Sequence, residues 1–327
     1  MRVPLVSVII PIFNSKDFIL DTLQSVIEQT YTYIEILIID DGSIDGSLEM
    51  VQSIECENIR VFKNKGKGAC AARNYGYALS KGDYIQFLDA DDILSPDKIQ
   101  KQVDALNGVI DKLAVCSTIH FRDEIQSGIC TDSPYLISTD KPSEFFIRLW
   151  GGYDLPPNMV QTSAWLSPRK LIEKYGLWDI NLYRDQDGEF FARLGLNSNG
   201  IVFVPGIKNY YRKHIDGHNI ASGRQKKHLE SNLDATFKKE GYLFARDNTR
   251  PAIKAMAIQY KNVAIEAWPR FKGVSNKALK ESSRLGGSKY LPILGGKVIE
   301  TIKNFLGWKI AKSVSYYGHI ILDKMVK

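Results

Sequence analysis

Five carboxylates crowd two short segments of this chain: Asp40 and Asp41 in Asp40-Asp41-Gly42-Ser43, and Asp89, Asp91 and Asp92 in Asp89-Ala90-Asp91-Asp92. Each segment closes an apolar run, YIEILIID in the first case and DYIQFLD in the second, so both sets of acids fall in loops at the ends of expected strands. Like charges 4 Å apart repel by about 1 kcal/mol in water and about 4 kcal/mol at an effective dielectric near 20, so gathering them is costly unless a cation sits among them. A hard divalent ion with oxygen ligands turns that repulsion into binding. The spacing of Asp89 and Asp91 lets two carboxylates of one tight turn reach a common point, which suits an ion that also holds a diphosphate; Mg²⁺ or Mn²⁺ is the expected occupant. Asp, Gly and Ser are also plain turn formers after strands. Two such loops in one region shift the balance towards chemistry.

The elements that must position these loops alternate. LVSVIIPI is followed by a helical pattern through Phe18, Leu23 and Val26, then YIEILIID, a helix after Asp45, IRVF, a helix near Ala69–Leu79, and DYIQFLD. This is the rhythm of a mainly parallel, doubly wound α/β sheet, whose near-continuous Val, Ile and Leu strands are covered on both faces. Ligands of such sheets bind at the carboxyl ends of the strands, where the acids lie. Ser95-Pro96 and Ser167-Pro168 mark two further helix starts. The compact pattern runs to about Lys213, and a polar, glycine-bearing stretch follows. The expected division is an α/β domain over 1–215, in two halves at about 1–110 and about 111–215, and a basic, mainly helical region over 216–327. No internal repeat is evident.

Four stretches in this order carry a resemblance: SVIIPIFN (Ser7–Asn14), DDGSIDGS (40–47), GACAARNYGYALSKGDYIQFLDADD (68–92) and QDGEFFARL (186–194). Together they resemble the family 2 glycosyltransferases of the GT-A fold, over about two thirds of the chain. The resemblance implies a Rossmann-like, mainly parallel sheet flanked by helices. It also implies that Pro11, Phe13 and Asp41, with Asp40 beside them, line a pocket for the nucleotide base, that Arg73 faces the nucleotide, that Asp89 contacts the ribose, and that Asp91 binds the metal with Asp92 in support. The catalytic base of such enzymes is the Asp of a Glu-Asp pair opening a helix that ends in Arg-Leu, which points to Asp187. Here the Glu is Gln186, and Asp185 and Glu189 compete for the role.

Transfer from a nucleotide-diphosphate sugar requires that charge growing on the leaving group be neutralised and that a proton leave the attacking hydroxyl. An Asp, with a reference pKa near 3.9, is ionised at neutral pH and can take that proton. One base and no evident second nucleophile imply direct displacement with inversion. A UDP-sugar is the family's commonest donor, and the acceptor is expected to be a saccharide or a lipid-linked hydroxyl, in cell-surface polysaccharide or glycolipid synthesis. Trp165 and Trp178, in an aromatic-rich stretch, are candidates to stack on an acceptor sugar, although such rings more often belong to a core. His214, with Arg212 and Lys213 beside it, is a candidate to touch the diphosphate.

Two other functions compete. Gly66-Lys67-Gly68-Ala69-Cys70-Ala71 matches the GxGxxA outline of a dinucleotide-dependent oxidoreductase, with Asp89 about 20 residues on. A catalytically inactive scaffold that binds sugar nucleotides is the other, with Gln186 as its symptom.

The charge is divided. The net +6 hides 22 Lys+Arg against 28 Asp+Glu in residues 1–215 and 21 against 9 in residues 216–327. No aromatic RNA-binding signature accompanies the lysines, so nucleic acid is not an expected partner. From Lys297 an apolar stripe at helical spacing, Ile299, Ile302, Leu306, Ile310, Val314, Tyr317 and Ile321, predicts a helix lying on the protein itself, a second subunit or an anionic membrane surface. Gly307 and Gly318 weaken it. The run Val3–Phe13, interrupted by Pro4 and Pro11, is expected to be a buried strand and no signal peptide, and Ser313–Leu322 is about half the length of a spanning helix. Four cysteines without metal-ligand spacing are expected to be reduced thiols. The expected location is cytoplasmic, peripheral to the inner face of a membrane.

Overall fold

The computed structural model describes residues 2–130, 133–214 and 225–325, with side chains described to residue 318. The chain divides into two compact units: Met1–Phe146, Met159–Asn181 and Gln186–Asn219 form the first, and Ile147–Asn158, Leu182–Asp185 and Ile220–Lys327 the second.

The first unit is built on a sheet. Its strands are β1 (Val6–Ile12), β2 (Ile34–Asp40), β3 (Ile59–Lys63), β4 (Tyr84–Phe87), β5 (Ile93–Leu94), β6 (Leu113–Phe121), β7 (Ile129–Cys130), β8 (Trp165–Pro168) and β9 (Ile201–Arg212). The order is β3-β2-β1-β4-β8-β6-β9-β5, with β7 paired to β6. β1 lies parallel to β2 and β4, and β2 to β3, so the first four strands are the expected parallel half. β8 then enters antiparallel to both β4 and β6, while β6 and β9 run parallel. Val6, Val8, Ile9 and Ile10 of β1 and Ile36 to Ile39 of β2 are fully buried, as continuous apolar strands covered on both faces must be.

The helices of this unit are α1 (Ile19–Ile27), α2 (Ser47–Gln52), α3 (Ala69–Leu79) and α4 (Lys98–Leu106), followed by α5 (Pro142–Leu149), which runs across the division, then α6 (Arg169–Tyr175) and α7 (Gln186–Asn197). α4 begins three residues and α6 two residues past the serines that mark them, with Lys98 N–H bonded to Ser95 O at 3.0 Å. Gly76 explains how closely α3 approaches the sheet: a Cβ there would lie 2.5 Å from Ile9 Cγ2 and 3.1 Å from Ile39 Cγ1. Behind β4 a polar core replaces an apolar one. The fully buried Lys98 donates to Gln86 Oε1 (2.5 Å) and Gln102 Oε1 (2.7 Å), and burial pushes its ammonium down to about 8.

The second unit is helical: α8 (Lys226–Phe244), α9 (Arg250–Ala267), α10 (Lys272–Arg284), α11 (Lys297–Leu306) and α12 (Trp308–Met325). Leu229 and Leu233 of α8, Tyr260, Val263, Ala264 and Ala267 of α9, and Val274 and Ala278 of α10 make its core. The single stripe expected from Lys297 is two helices. Gly307, at φ 83°, breaks it between α11 and α12, because a left-handed residue cannot continue a right-handed helix. Ile321 of that stripe lies outside the described side chains. Among the described residues no helix is long and apolar enough to cross a membrane.

Candidate active site

The carboxyl ends of β1, β2, β4 and β9 bring most of the sequence-identified residues into one region of the first unit. At the end of β2, Asp40 is buried, and its carboxylate accepts the backbone N–H groups of Ser43 (3.0 Å) and Gly42 (3.2 Å). With these bonds the side chain shapes its own turn. Asp41 ties that turn to the next loop, accepting Asn64 Nδ2 at 2.7 Å and Gly68 N–H at 2.8 Å. The loop after β1 closes on the same turn through Asn14, whose N–H donates to Ser43 Oγ (3.0 Å) and whose Oδ1 accepts Ile44 N–H (2.9 Å). Pro11 sits within β1, and the Phe13 ring beyond it is 58% exposed. A bare aromatic on such a hydrogen-bonded rim offers a stacking surface for a planar ring.

The same contacts weigh against the dinucleotide reading of 66–71. A pyrophosphate held by that glycine loop needs its N–H groups, and those of Gly66 and Gly68 are already bonded to Asn64 Oδ1 (3.1 Å) and Asp41.

At the end of β4, Thr22 of α1 anchors the second acidic turn by donating to Ala90 O at 2.9 Å. Its three acids divide the work. Asp89 pairs with the buried Arg73 of α3 at 2.6 Å. Asp92 is fully buried behind it and receives Ser163 Oγ–H at 2.6 Å; burial first, then the charges of Asp91 and Asp89, push its carboxyl well above the usual carboxylate range. Asp91 faces the other way and meets His214 beyond β9, Oδ2 to Nε2 at 2.6 Å. That hydrogen bond pushes the imidazole above its ordinary value. Arg212 holds this corner together, donating to Asp91 O (3.3 Å) and Asp21 (3.1 Å), with its guanidinium over Phe18 and Phe121.

Arg73 is the centre of a second cluster. Its guanidinium lies 4.4 Å from the Trp178 ring centroid, and that indole stacks on Phe190 of α7 at 4.1 Å and 7°. Trp165 stacks on Phe191 at 5.1 Å and 14°. Both tryptophans are buried, so their ring faces belong to the core and neither is available to an acceptor sugar. This corrects the expectation for both: a QDGEFFARL helix presents adjacent phenylalanines that need aromatic partners inside. Asp187, in the first turn of α7, acts with Asp89 to raise Arg73 against the effect of burial. The positive end of the helix attracts its charge.

The competing acids are engaged elsewhere. Glu189 is buried in a two-point pair with Arg193 at 2.8 and 3.2 Å, and Arg193 also donates to the carbonyls of Tyr175, Gly176 and Leu177, stapling α7 to the loop after α6. Asp185 pairs with Lys239 within the second unit.

Several positioning residues leave no trace in a motif. Ser163 lies 71 positions from Asp92, and Asn64 and Asn14 are loop residues without a distinguishing pattern. His214 carries only the weak signal of a titratable residue after the last strand; its partner is Asp91.

Among the described residues no group of three or more His, Cys, Asp or Glu forms a protein-only metal cage. The donor set of Asp91 and His214 nonetheless fits a divalent ion that draws its remaining ligands from phosphate oxygens and water, as ions of diphosphate substrates do. An imidazole nitrogen in that set suits Mn²⁺ better than Mg²⁺.

Residues 7–148 match the family described as Glycosyl transferase family 2. A Bacillus subtilis protein, TuaG, named as a glycosyltransferase of teichuronic acid biosynthesis, is 40% identical over 104 residues, 31% of this chain and 41% of TuaG. The chain spans less than two thirds of the length of the curated relatives it matches. Among solved structures, S. aureus TarS 1-349 in complex with UDP-GlcNAc aligns with a TM-score of 0.60 at 17% identity, covering 90% of this chain and 95% of that one. The mannosyltransferase PcManGT from Pyrobaculum calidifontis, in complex with GDP-Man and Mn²⁺, aligns with a TM-score of 0.56 at 15% identity, covering 95% of this chain and 86% of that one. The fold is therefore the GT-A fold, with C-terminal helices added.

Proposed function

We propose, from the match of residues 7–148 to glycosyl transferase family 2, that the protein is a metal-dependent, inverting glycosyltransferase that uses a nucleotide-diphosphate sugar. The observation that carries the reading is the meeting of Asp91 and His214 at 2.6 Å where β4 and β9 end. A divalent ion held there, Mn²⁺ or Mg²⁺, would neutralise charge on a departing diphosphate.

The chain's own residues do the rest. Pro11, Phe13 and the Asp41 turn form the wall for the base, with Asp40 shaping that turn. Arg73 fixes Asp89 for the ribose, and Asp92, held by Ser163, supports the Asp91 corner from within the turn. Asp187 accepts the proton of the attacking hydroxyl, and a single displacement inverts the sugar carbon. The donor half is the part within residues 1–110, and the acceptor half the remainder to 215. UDP-GlcNAc in TarS and GDP-Man in PcManGT support a sugar nucleotide, and a UDP-sugar is the donor we favour. The teichuronic acid named for TuaG supports a role in cell-surface polysaccharide synthesis, for which we propose a saccharide or lipid-linked acceptor at the cytoplasmic side.

Inversion has a direct readout. With α-linked UDP-sugars, Mn²⁺ and water as the only acceptor, proton NMR of slow donor hydrolysis is expected to show the β-anomer of the free sugar first, before mutarotation. The α-anomer appearing first contradicts the single displacement. Absence of metal-dependent nucleotide release from every UDP- and GDP-sugar contradicts the transferase reading itself.

A further inference from the structure

The donor chemistry leaves residues 285–327 without a role, although they hold seven lysines against two acids. In α11, Val298, Ile299, Ile302, Phe305 and Leu306 share one side at helical spacing, while Glu300, Lys303 and Asn304 take the other. An amphipathic helix of a soluble domain turns its apolar side inward. α11 buries none of its residues, and Val298 and Phe305 are 72% and 84% exposed, with Ile293 just before the helix at 83%.

The pattern continues past Gly307. Ile310, Val314 and Tyr317 fall on one side of α12 and are exposed, as is Leu306 at the end of α11, whereas Ala311 is buried. Of the 21 exposed large hydrophobic residues among the described residues, seven lie between Ile293 and Tyr317, so this is one patch and not scatter. Lysines rim it. Lys309 lies 4.8 Å from the Trp268 centroid and 5.8 Å from that of Trp308, Lys261 lies 5.0 Å from Trp308, and Lys272 lies 5.6 Å from Trp268. Trp268 Nε1 donates to Lys309 O and Ser313 Oγ, which pins the start of α12. Indoles beside ammonium groups, next to an exposed apolar helix face, match the headgroup layer of a bilayer, where rings sit at the apolar boundary and lysines meet phosphates.

We propose that α11 and the exposed side of α12 form a docking surface for an anionic lipid bilayer. The positive charge selects this occupant: a second copy of the same lysine-rimmed surface would repel it, whereas anionic headgroups attract it. The surface goes beyond the proposed transfer reaction, and holds or fails apart from it.

Flotation of the full-length protein with vesicles tests this. Vesicles of phosphatidylcholine with about 30% phosphatidylglycerol are expected to carry at least about tenfold more protein than phosphatidylcholine alone, and about 1 M salt should release most of it. A Phe305→Glu, Leu306→Glu double variant should fall to the level of neutral vesicles, with its thermal unfolding midpoint and its metal-dependent donor hydrolysis unchanged, because both side chains are exposed. Equal recovery on the two vesicle types overturns the proposal, as does a double variant that still floats. Wild-type protein that ignores vesicles but sediments as a dimer, which the double variant converts to monomer, also overturns it and assigns the patch to a second copy.

Discussion

Asp187→Asn is expected to lower kcat by about 10²–10⁴, the contribution typical of a positioned general base, while the KM for donor stays within about threefold. The amide keeps the size of the side chain and its place in the first turn of α7, but has no basic oxygen of comparable strength at neutral pH. The neighbouring acids cannot substitute. Glu189 is buried against Arg193 and Asp185 is paired with Lys239. Removing Asp187 also removes one of the charges acting on Arg73, yet Asp89 remains bonded to that guanidinium, so the donor side should survive. Steady-state kinetics with donor saturation curves separates the outcomes: an equal loss in donor affinity and turnover reassigns Asp187 to binding, and unchanged turnover removes it from the chemistry.

Asp91→Asn is expected to lower kcat/KM by about 10²–10³ and to abolish its response to added Mn²⁺. The reasoning is a magnitude. A divalent ion on a leaving diphosphate supplies several kcal/mol of charge stabilisation, and about 1.4 kcal/mol is tenfold in rate. The variant removes the carboxylate that meets His214 and leaves the bond of Asp92 to Ser163 in place, while lifting one of the charges that push the Asp92 carboxyl up. A Mn²⁺ titration of activity reads this. If the variant reaches the wild-type rate at high Mn²⁺, Asp91 merely tunes affinity; if it responds as the wild type does, the ion lies elsewhere.

How much of this was legible depended on how local the signal was. β1 to β4 followed from continuous Val, Ile and Leu runs closed by turn residues, and α3, Ala69–Leu79, forms where its pattern places a helix. The second half of the sheet was harder. β8 is four residues inserted antiparallel between β4 and β6, and pairing with a strand more than eighty positions earlier has no local pattern. In the site, acids crowded on strand ends were visible by type and spacing, but their division of labour was not. Asp40 and Asp41 read alike in sequence, yet one is buried in its own turn while the other bridges to Gly68. The same holds for Asp91 and Asp92, of which one faces His214 and the other Ser163. The aromatics misled for a physical reason: stacking on a sugar and stacking on Phe190 or Phe191 demand the same residue type, and only burial separates them. Gly307 reads in sequence as a weak point in a helix, but that it ends α11 depends on its backbone angle, which no periodicity conveys.

The central claim, a metal-dependent sugar-nucleotide site at the ends of β1, β2, β4 and β9, is tested most directly by thermal unfolding of the purified protein with nucleoside diphosphates, with and without Mn²⁺. A ligand at about 100 times its Kd stabilises the native state by about 2.7 kcal/mol, worth a midpoint shift of about 5 °C. We predict such a shift for one nucleoside diphosphate, and only with the metal present. Stabilisation by a nicotinamide dinucleotide without metal, or by no nucleoside diphosphate under either condition, would contradict the account.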